Sequence, residues 1–230
     1  MTRCVEPEWL DELPATDRRA IQSRRDLRCL NAVMGHARFI ANALRDSPDW
    51  NGRIIDLGGG DGRFLLKVAR SLGKRQRDVE AVLIDRLDLA TKETAREFER
   101  LGWRLTIKAG DVFEVLAEMP KQADGAIMSN LFLHHFGESQ LRRLLKLQAE
   151  RADIVIACEP RRSTMALVAS RLVGLLGCNA VTRHDAVASV RAGFTNSDLT
   201  ALWSDAANWS IQERTLGLFS HGFICRRKAG

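Results

Sequence analysis

Residues 54–63 read Ile54-Ile55-Asp56-Leu57-Gly58-Gly59-Gly60-Asp61-Gly62-Arg63, and Phe64-Leu65-Leu66-Lys67-Val68-Ala69 follows directly. An apolar run that ends in an acid, breaks into glycines and resumes with helical spacing predicts a buried parallel strand, a tight turn and a helix. Glycine has no Cβ, so the turn can take positive φ and a ligand can lie on its backbone. The helix that follows points unpaired N–H groups into the turn.

Two ligand-binding loops fit such a turn. The dinucleotide fingerprint G-x-G-x-x-G requires a small third residue, and counting from Gly58 places the bulky Arg63 there. The spacing Asp56-x-Gly58-x-Gly60-x-Gly62 instead resembles motif I of the class I S-adenosylmethionine (SAM)-dependent methyltransferases. That resemblance implies SAM as cofactor and S-adenosylhomocysteine (SAH) as product. A tight turn without a ligand is the alternative.

Length and composition describe an ordinary globular chain. Its 230 residues, 45% of them hydrophobic and 28% charged, suit one domain that buries its own core. No apolar run approaches the roughly 20 residues needed to cross a bilayer, and the first residues lack a signal peptide's apolar core. We therefore expect a cytoplasmic protein. Five scattered cysteines without a C-x-x-C pair argue against disulfides and structural zinc.

The first 50 residues are predicted to form a helical cap, and residues 51–230 the methyltransferase domain. Helical spacing of apolar residues runs from Asp17 to Leu44, and five arginines cluster in its first half: Arg18, Arg19, Arg24, Arg25 and Arg28. Such a basic stripe can bind phosphates or an acidic lipid surface. We favour a solvated helix face, so nucleic acid is an unlikely but open partner for a net charge of +6.

Acids follow the next two strands. Asp85, with Arg86 beside it, comes 23 residues after Gly62, where a doubly wound fold places the carboxylate that binds ribose hydroxyls. In the family that the chain resembles, an acid at the next strand exit takes the adenine amino group and the following N–H meets a ring nitrogen. Asp111 and Val112 match those positions. The alternative is that Asp111 simply caps the helix of residues 112–118.

Five strand–helix units followed by a tight C-terminal hairpin predict the fold class. It is α/β and Rossmann-like, with a mostly parallel seven-stranded sheet, an antiparallel C-terminal hairpin and the N-terminal helical cap. Residues 163–195 are predicted as an insertion that covers the acceptor. Ligands bind beyond the carboxyl ends of such strands, so the polar strand exits converge on one crevice: Asp56, Asp85, Asp111, Asn130 and Glu159.

The exit of the fourth strand bears on what is methylated. Methyltransferases acting on amide or adenine nitrogens usually carry Asn/Asp-Pro-Pro-aromatic there, and this chain has Ser129-Asn130-Leu131-Phe132-Leu133-His134-His135-Phe136. That stretch is similar to the ubiquinone/menaquinone-type and related small-molecule methyltransferases. The resemblance implies that the Asn130 carbonyl holds the methionine amino group of SAM. We expect O-methylation of a phenolic, resorcinol-type or quinol acceptor.

Three histidines are candidate bases for deprotonating a phenol. His135 and His134 follow the fourth strand, with His135 slightly favoured, and His184 precedes a carboxylate that can orient its ring. Alternatively, one of the paired histidines caps the next helix and the other packs beneath it. His36 and His221 look structural. No spacing of carboxylates and histidines suggests a metal, so transfer is predicted to be metal-independent.

The stretch from Ser23 to Gly35 is similar to a bacterial subgroup that often accompanies type III polyketide synthases and O-methylates phenolic lipids. This implies an apolar aromatic acceptor under a lid, with four predicted acceptor residues: Met34, Phe39, Glu159 and Met165. Ordinary core packing is the alternative for the apolar ones. An RNA methyltransferase, a C-methyltransferase acting on a quinone or polyketide, and a SAM-binding module without catalysis remain rival functions. A monomer or homodimer is expected.

Overall fold

The computed structural model describes residues 1–47, 50, 52–73, 78–121 and 125–228, with residues 31–33 described by their backbone alone. The strands are β1 Arg53–Leu57, β2 Val79–Asp85, β3 Trp103–Ala109, β4 Ala126–Asn130, β5 Ile154–Pro160, β6 Trp209–Leu216 and β7 Ser220–Arg227. The helices are α1 Trp9–Glu12, α2 Arg18–Val33, α3 His36–Arg45, α4 Arg63–Leu72, α5 Lys92–Arg100, α6 Val112–Glu118, α7 Glu138–Ala149, α8 Thr164–Leu172 and α9 Ala180–Ala192.

The strands form one sheet in the order β3-β2-β1-β4-β5-β7-β6. β7 runs antiparallel to both of its neighbours, and the other pairings within β1–β5 are parallel. The prediction of a mostly parallel seven-stranded sheet with an antiparallel C-terminal hairpin is confirmed. The order reverses between β1 and β4, which opens a crevice at the carboxyl ends of these two strands.

Helices cover both faces of the sheet because successive side chains of each strand point to opposite sides. Ile54 of β1 packs in one core with α3 and α4, whereas Ile55 and Leu57 pack in a second core with α6 and α7. Strand β5 is buried along its whole length. Two covered faces explain why these strands read as continuous apolar runs.

The N-terminal region is not uniform. Residues 1–8 form an extended arm before α1, α2 packs beside α9, and α3 shares the first core with α4. The domain boundary between residues 50 and 51 stays a prediction, and residue 51 lies outside the described residues. The predicted insertion 163–195 contains α8, a 3-10 helix at Val173–Leu176, and α9. None of the helices in the described parts is long and apolar enough to cross a membrane.

Candidate active site

The glycine loop after β1 forms the floor of a large cavity. Gly58 and Gly60 have φ of +69° and +55° and both line this cavity. A Cβ on Gly58 would lie 2.3 Å from the Phe132 ring, whereas a Cβ on Gly60 would meet no atom within 4 Å. Gly62 is the residue directly before α4, and a Cβ on it would lie 2.9 Å from the Leu83 side chain, away from the cavity lining. Gly60 therefore leaves open space where a ligand can approach the backbone.

Asp56 lies beneath the loop as a buried, incompletely bonded acid. Its side chain is 2% exposed, and its Oδ2 has no hydrogen-bond partner among the described residues. Burial raises the pKa of Asp56 well above its usual value, and the nearby charge of Asp85 raises it further. A buried polar atom without a partner is costly, so this oxygen indicates a place for a ligand or water.

Two further acids border the same cavity. Asp85 accepts hydrogen bonds from the N–H of Gly60 at 2.9 Å and of Leu87 at 3.0 Å. Asp111 accepts one from the N–H of Phe113 at 2.8 Å and so caps α6. Each carboxylate keeps further lone pairs for a ligand. Other predicted cofactor residues that line the cavity are Arg86, Val112 and Asn130.

The cavity has a volume of about 1230 Å³. Single small-molecule sites usually measure roughly 300–1,000 Å³, so this space suits a cofactor and an acceptor together. Its second wall comes mainly from the N-terminal arm, α1, α2 and the loop after β4. We name as the apolar wall the apolar residues of these elements that line the cavity, among them Val5, Leu10, Leu13, Leu27, Phe132 and Phe136.

The exit of β4 is held by a chain of hydrogen bonds. Nδ1 of His36 lies 2.6 Å from Oδ1 of Asn130, and its Nε2 lies 2.7 Å from Oγ of Ser220. The next residue, Leu131, has φ +55° and its N–H bonds the Cys158 carbonyl. A left-handed leucine costs of order 1 kcal/mol or more. The surrounding bonds hold it there and turn the chain towards the cavity.

Glu159 anchors the loop that begins with this turn. Its fully buried carboxylate accepts hydrogen bonds from the N–H groups of Phe132 at 3.1 Å and Leu133 at 2.8 Å. Nδ1 of His134 lies 2.8 Å from the same carboxylate, and Nε2 of His134 lies 3.2 Å from Oε1 of Glu8. The Ser189 hydroxyl also donates to Glu8. Glu159 therefore positions the loop from below.

The charges in this network stabilise one another. Burial alone would lower the pKa of His134, but its bonds to Glu159 and Glu8 raise it to about 9. Burial would raise the pKa of Glu8, and the bond to His134 lowers it to about 2. For Glu159, the opposing effect of His134 leaves the pKa below its usual value. His134 thus holds its proton at neutral pH.

His135 occupies a different environment. It lines the cavity with its side chain 24% exposed, and its Nδ1 lies 3.4 Å from Oδ2 of Asp11 on α1. Burial lowers the pKa of His135, and the charge of His134 lowers it further. An imidazole with a lowered pKa is neutral near pH 7, which is the state that accepts a proton.

His184 does not reach the cavity lining. Its ring stacks on Trp9 with a centroid distance of 4.0 Å, and its Nδ1 lies 2.9 Å from Oδ1 of Asp185. The Asp185 carboxylate also accepts the N–H groups of Trp9 at 2.9 Å and Leu10 at 3.0 Å. Asp185 therefore fixes the start of α1 as well as the His184 ring.

The four predicted acceptor residues lie apart from the described cavity lining. Phe39 is in the core of α3, with the Arg214 guanidinium 4.9 Å from its ring centroid. Met34 ends α2, Met165 is exposed on α8, and Glu159 is buried under the loop. The structure brings together the arm, α1 and the loop after β4 instead.

The arm is the part of the site that the sequence did not indicate. Arg3 donates to the carbonyls of Ala192 at 2.7 Å and Phe136 at 2.9 Å, and its guanidinium lies over the Phe194 ring. Residues 1–15 show no periodicity and contain two prolines. Apolar side chains between those prolines were the one available signal.

One group of side chains has the composition of a metal site. Ligand atoms of Glu8, His134 and His135 lie within 4.8 Å of one another. Each ring nitrogen of His134 already faces a carboxylate, Nε2 that of Glu8 and Nδ1 that of Glu159. A proton on each nitrogen therefore occupies the place that a metal ion would need. Metal independence stays a prediction.

Comparisons with known proteins bear on the same region. Residues 54–152 match the family model of a methyltransferase domain. No curated protein matches the sequence significantly. Among solved structures, an O-methyltransferase family protein from Burkholderia thailandensis is 19% identical with a TM-score of 0.57, covering 94% of this chain and 63% of that one. The chain thus spans less than two thirds of that protein.

Two other similar structures match over most of both chains. The plantazolicin methyltransferase BamL, crystallised with a triazolic desmethylPZN analog and SAH, is 13% identical with a TM-score of 0.64, and the match covers 95% of this chain and 93% of that one. The plantazolicin methyltransferase BpumL, also crystallised with SAH, is 15% identical with a TM-score of 0.61, and the match covers 96% of this chain and 93% of that one. These likenesses confirm the predicted class I fold. The family match indicates a methyltransferase domain over residues 54–152.

Proposed function

We propose that this chain transfers the methyl group of SAM to an oxygen of an apolar aromatic small molecule of the phenol, resorcinol or quinol type, with His135 as general base. The observation that carries this proposal is the place of His135. Of the three predicted histidines, it is the one at the cavity, it has a lowered pKa, and a carboxylate lies 3.4 Å from it.

The residues at the strand ends fit the cofactor. Asp56 with its unpartnered buried oxygen, Gly60 with open space at its Cα, and Asp85 all line the same cavity. We assign Asp85 and Arg86 to the ribose side, Asp111 and Val112 to the adenine side, and the Asn130 carbonyl to the methionine amino group. Gly58 and Gly62 shape the loop. When bound, SAM supplies an electrophilic methyl group and leaves as SAH.

His135 supplies what the acceptor lacks. A phenol with a pKa of about 10 is a poor nucleophile at neutral pH. Neutral His135 takes the hydroxyl proton while an oxygen lone pair forms the bond to the methyl carbon and the C–S bonding pair stays with sulfur. Such base catalysis contributes roughly 10²–10⁴-fold. The imidazolium that forms is stabilised by the Asp11 carboxylate, and His134, which keeps its own proton, does not compete.

The apolar wall selects the acceptor. Leu10, Leu13, Phe132 and Phe136 line the same cavity as His135, so an aromatic ring can be buried there with its hydroxyl towards the base. Exclusion of water by the arm keeps the acceptor aligned, and alignment is the main contribution available to a methyl transfer. The quinone-type branch and the association with polyketide synthases belong to this proposal. A monomer and a homodimer are equally compatible with this proposed function.

Three of the five arginines clustered in α2 are engaged within the chain, which disfavours the RNA alternative. Arg24 donates to the Ala15 carbonyl at 3.0 Å, Arg28 lies 3.6 Å from Asp61 of the glycine loop, and Arg19 pairs with Asp17. Two of them, Arg24 and Arg28, line the cavity. In our proposal, Arg24 and Arg28 form part of the cavity wall and do not bind RNA.

The test uses SAM with a labelled methyl group, the purified chain, host extract and a panel of phenols and quinols. We expect label in the organic phase as a methyl ether, with the His135→Gln variant binding SAH normally but transferring slowly. Label in RNA or protein would refute the small-molecule acceptor. A carbon-bound product would establish C-methylation, and SAH binding without any transfer would indicate a non-catalytic module.

A further inference from the structure

An apolar surface lies outside the proposed active site. Three large side chains of α8, spaced three and four residues apart, are about half exposed and line a groove of about 580 Å³ beside the β6–β7 turn. Beyond α8, Leu175 and Leu176 are 83% and 72% exposed. We name as the α8 patch the seven residues Met165, Val168, Leu172, Leu175, Leu176, Leu218 and Phe219.

The helix that carries this patch exposes and buries the opposite kinds of side chain from an ordinary surface helix. α8 buries the small side chains of Ala166 and Ser170 and turns Met165, Val168 and Leu172 outwards. A surface helix normally buries its large apolar residues against the core. Contiguous exposed apolar surface on a protein marks an interaction site. The α8 patch therefore requires an apolar partner.

The charge around the patch selects that partner. Residues 160–184 contain four arginines and no acidic residue, and among the described residues three of the four remain for a partner because Arg162 pairs with Asp198 at 2.7 Å. Arg171 is exposed on α8, the side chain of Arg183 packs against Gly174, and the N–H of Arg161 bonds the Phe219 carbonyl at 2.8 Å. Cations beside exposed leucines match the chemistry of an anionic bilayer, with apolar side chains in the acyl boundary and guanidinium groups on phosphates.

The patch lies at the catalytic edge of the sheet. α8 begins directly beyond the carboxyl end of β5, and Ser220 after the β6–β7 turn pairs with Pro160. Glu159, which positions the loop of His135, is the preceding residue of β5. A surface that docks there brings the cavity end of the molecule towards its partner.

We propose that the α8 patch docks this protein on an anionic lipid bilayer. This inference does not depend on the identity of the methyl acceptor, because docking is measured without turnover. Lipid binding and methyl transfer can therefore fail separately.

The test is flotation of the full chain with vesicles of phosphatidylcholine, alone or mixed with phosphatidylglycerol. We expect flotation with the mixed vesicles that weakens as salt is raised, since salt screens the arginines. The double variant Leu175→Glu/Leu176→Glu should bind at least ~10-fold more weakly. The matched control is Ile21→Glu, which alters a 54% exposed side chain of α2 and should float like the unaltered chain.

Circular dichroism and thermal unfolding establish that each variant is folded, as expected for exposed positions. The proposal is overturned if the unaltered chain fails to float with either vesicle, or if the double variant floats equally well. It is also overturned if the unaltered chain is a dimer that does not float and the double variant is a monomer. In that case a second copy of the chain covers the patch.

Discussion

Nδ1 of His134 lies 2.8 Å from Oε2 of Glu159, with the two side chains 3% and 0% exposed. Because Glu159 also accepts N–H groups of Phe132 and Leu133, this buried pair fixes the loop that presents His135. Removing one partner of a buried pair leaves an uncompensated charge. The two adjacent histidines thus have different tasks, one holding the loop and the other facing the cavity.

The variant Glu159→Gln tests the structural part of this arrangement. It keeps the shape of the side chain but removes the charge, so we expect the free energy of unfolding to fall by about 3–5 kcal/mol. Urea denaturation measures this value. Glu138→Gln is the control, because Glu138 pairs with Arg142 on the surface and such pairs contribute less than about 1 kcal/mol. Equal losses of unfolding free energy in the two variants would contradict the assignment of Glu159 to a buried charge pair that holds the loop.

The stability of the fold should depend on pH through His134 and Glu8. The pKa of His134 is about 9 in the folded protein against 6.5 for a free histidine, so its contribution is full below pH 6.5 and lost as pH rises through 9. The pKa of Glu8 is about 2 against 4.5, so its contribution is full above pH 4.5 and lost as pH falls through 2. Both contributions to stability are complete only between pH 4.5 and pH 6.5.

We therefore expect the free energy of unfolding to fall between pH 6.5 and 9 with a slope of up to ~1.4 kcal/mol per pH unit from His134. The His134→Gln variant, which has no proton to lose there, should show a flatter profile. Urea denaturation at a series of pH values measures both slopes. Parallel profiles would show that His134 does not hold its proton.

The role of His135 predicts a pattern across acceptors. We expect His135→Gln to lower kcat by roughly 10²–10⁴-fold with an ordinary phenol. The loss should shrink with phenols of lower pKa, which are already ionised and need no base. Initial rates with labelled SAM across a series of phenols measure this trend. A loss of the same size for every phenol would mean that His135 only positions the acceptor.

A pair of glycine variants separates the effect of backbone strain from the effect of contact with the ligand. Gly60→Ala places a methyl group in the open cavity, and we expect SAH affinity to drop at least ~10-fold. Gly217→Ala is the control, because Gly217 has a similar φ of +58° and also no atom within 4 Å of a Cβ. Calorimetry with SAH measures affinity and thermal unfolding measures strain. Similar affinities for both variants would remove Gly60 from the cofactor site.

The sequence predicted the sheet and the polar strand ends because both depend on short-range patterns. The run before Asp56 and the run before Asp85 each carry strand and turn signals within a few residues. Parallel topology then brings their carboxyl ends together. These acids border one cavity, as expected from the order of the strands.

The apolar wall was not predictable in the same way. Glu8 meets His134 across 126 residues and Trp9 meets Asp185 across 176, and no local pattern reports such contacts. Helical spacing also indicates that a helix has an apolar face without indicating what covers it. Met165 illustrates this, since its helix turns that face to solvent.

The position of β7 between β5 and β6 has a consequence for synthesis on the ribosome. Strand β5 is complete at Pro160, but the strand that covers its edge ends at Arg227. A nascent chain therefore carries the bare edge of β5, whose residues 154–158 are all apolar, until residues 161–227 have been translated. Such edges template aggregation. We therefore expect the edge of β5 to be open to such pairing until the final hairpin emerges.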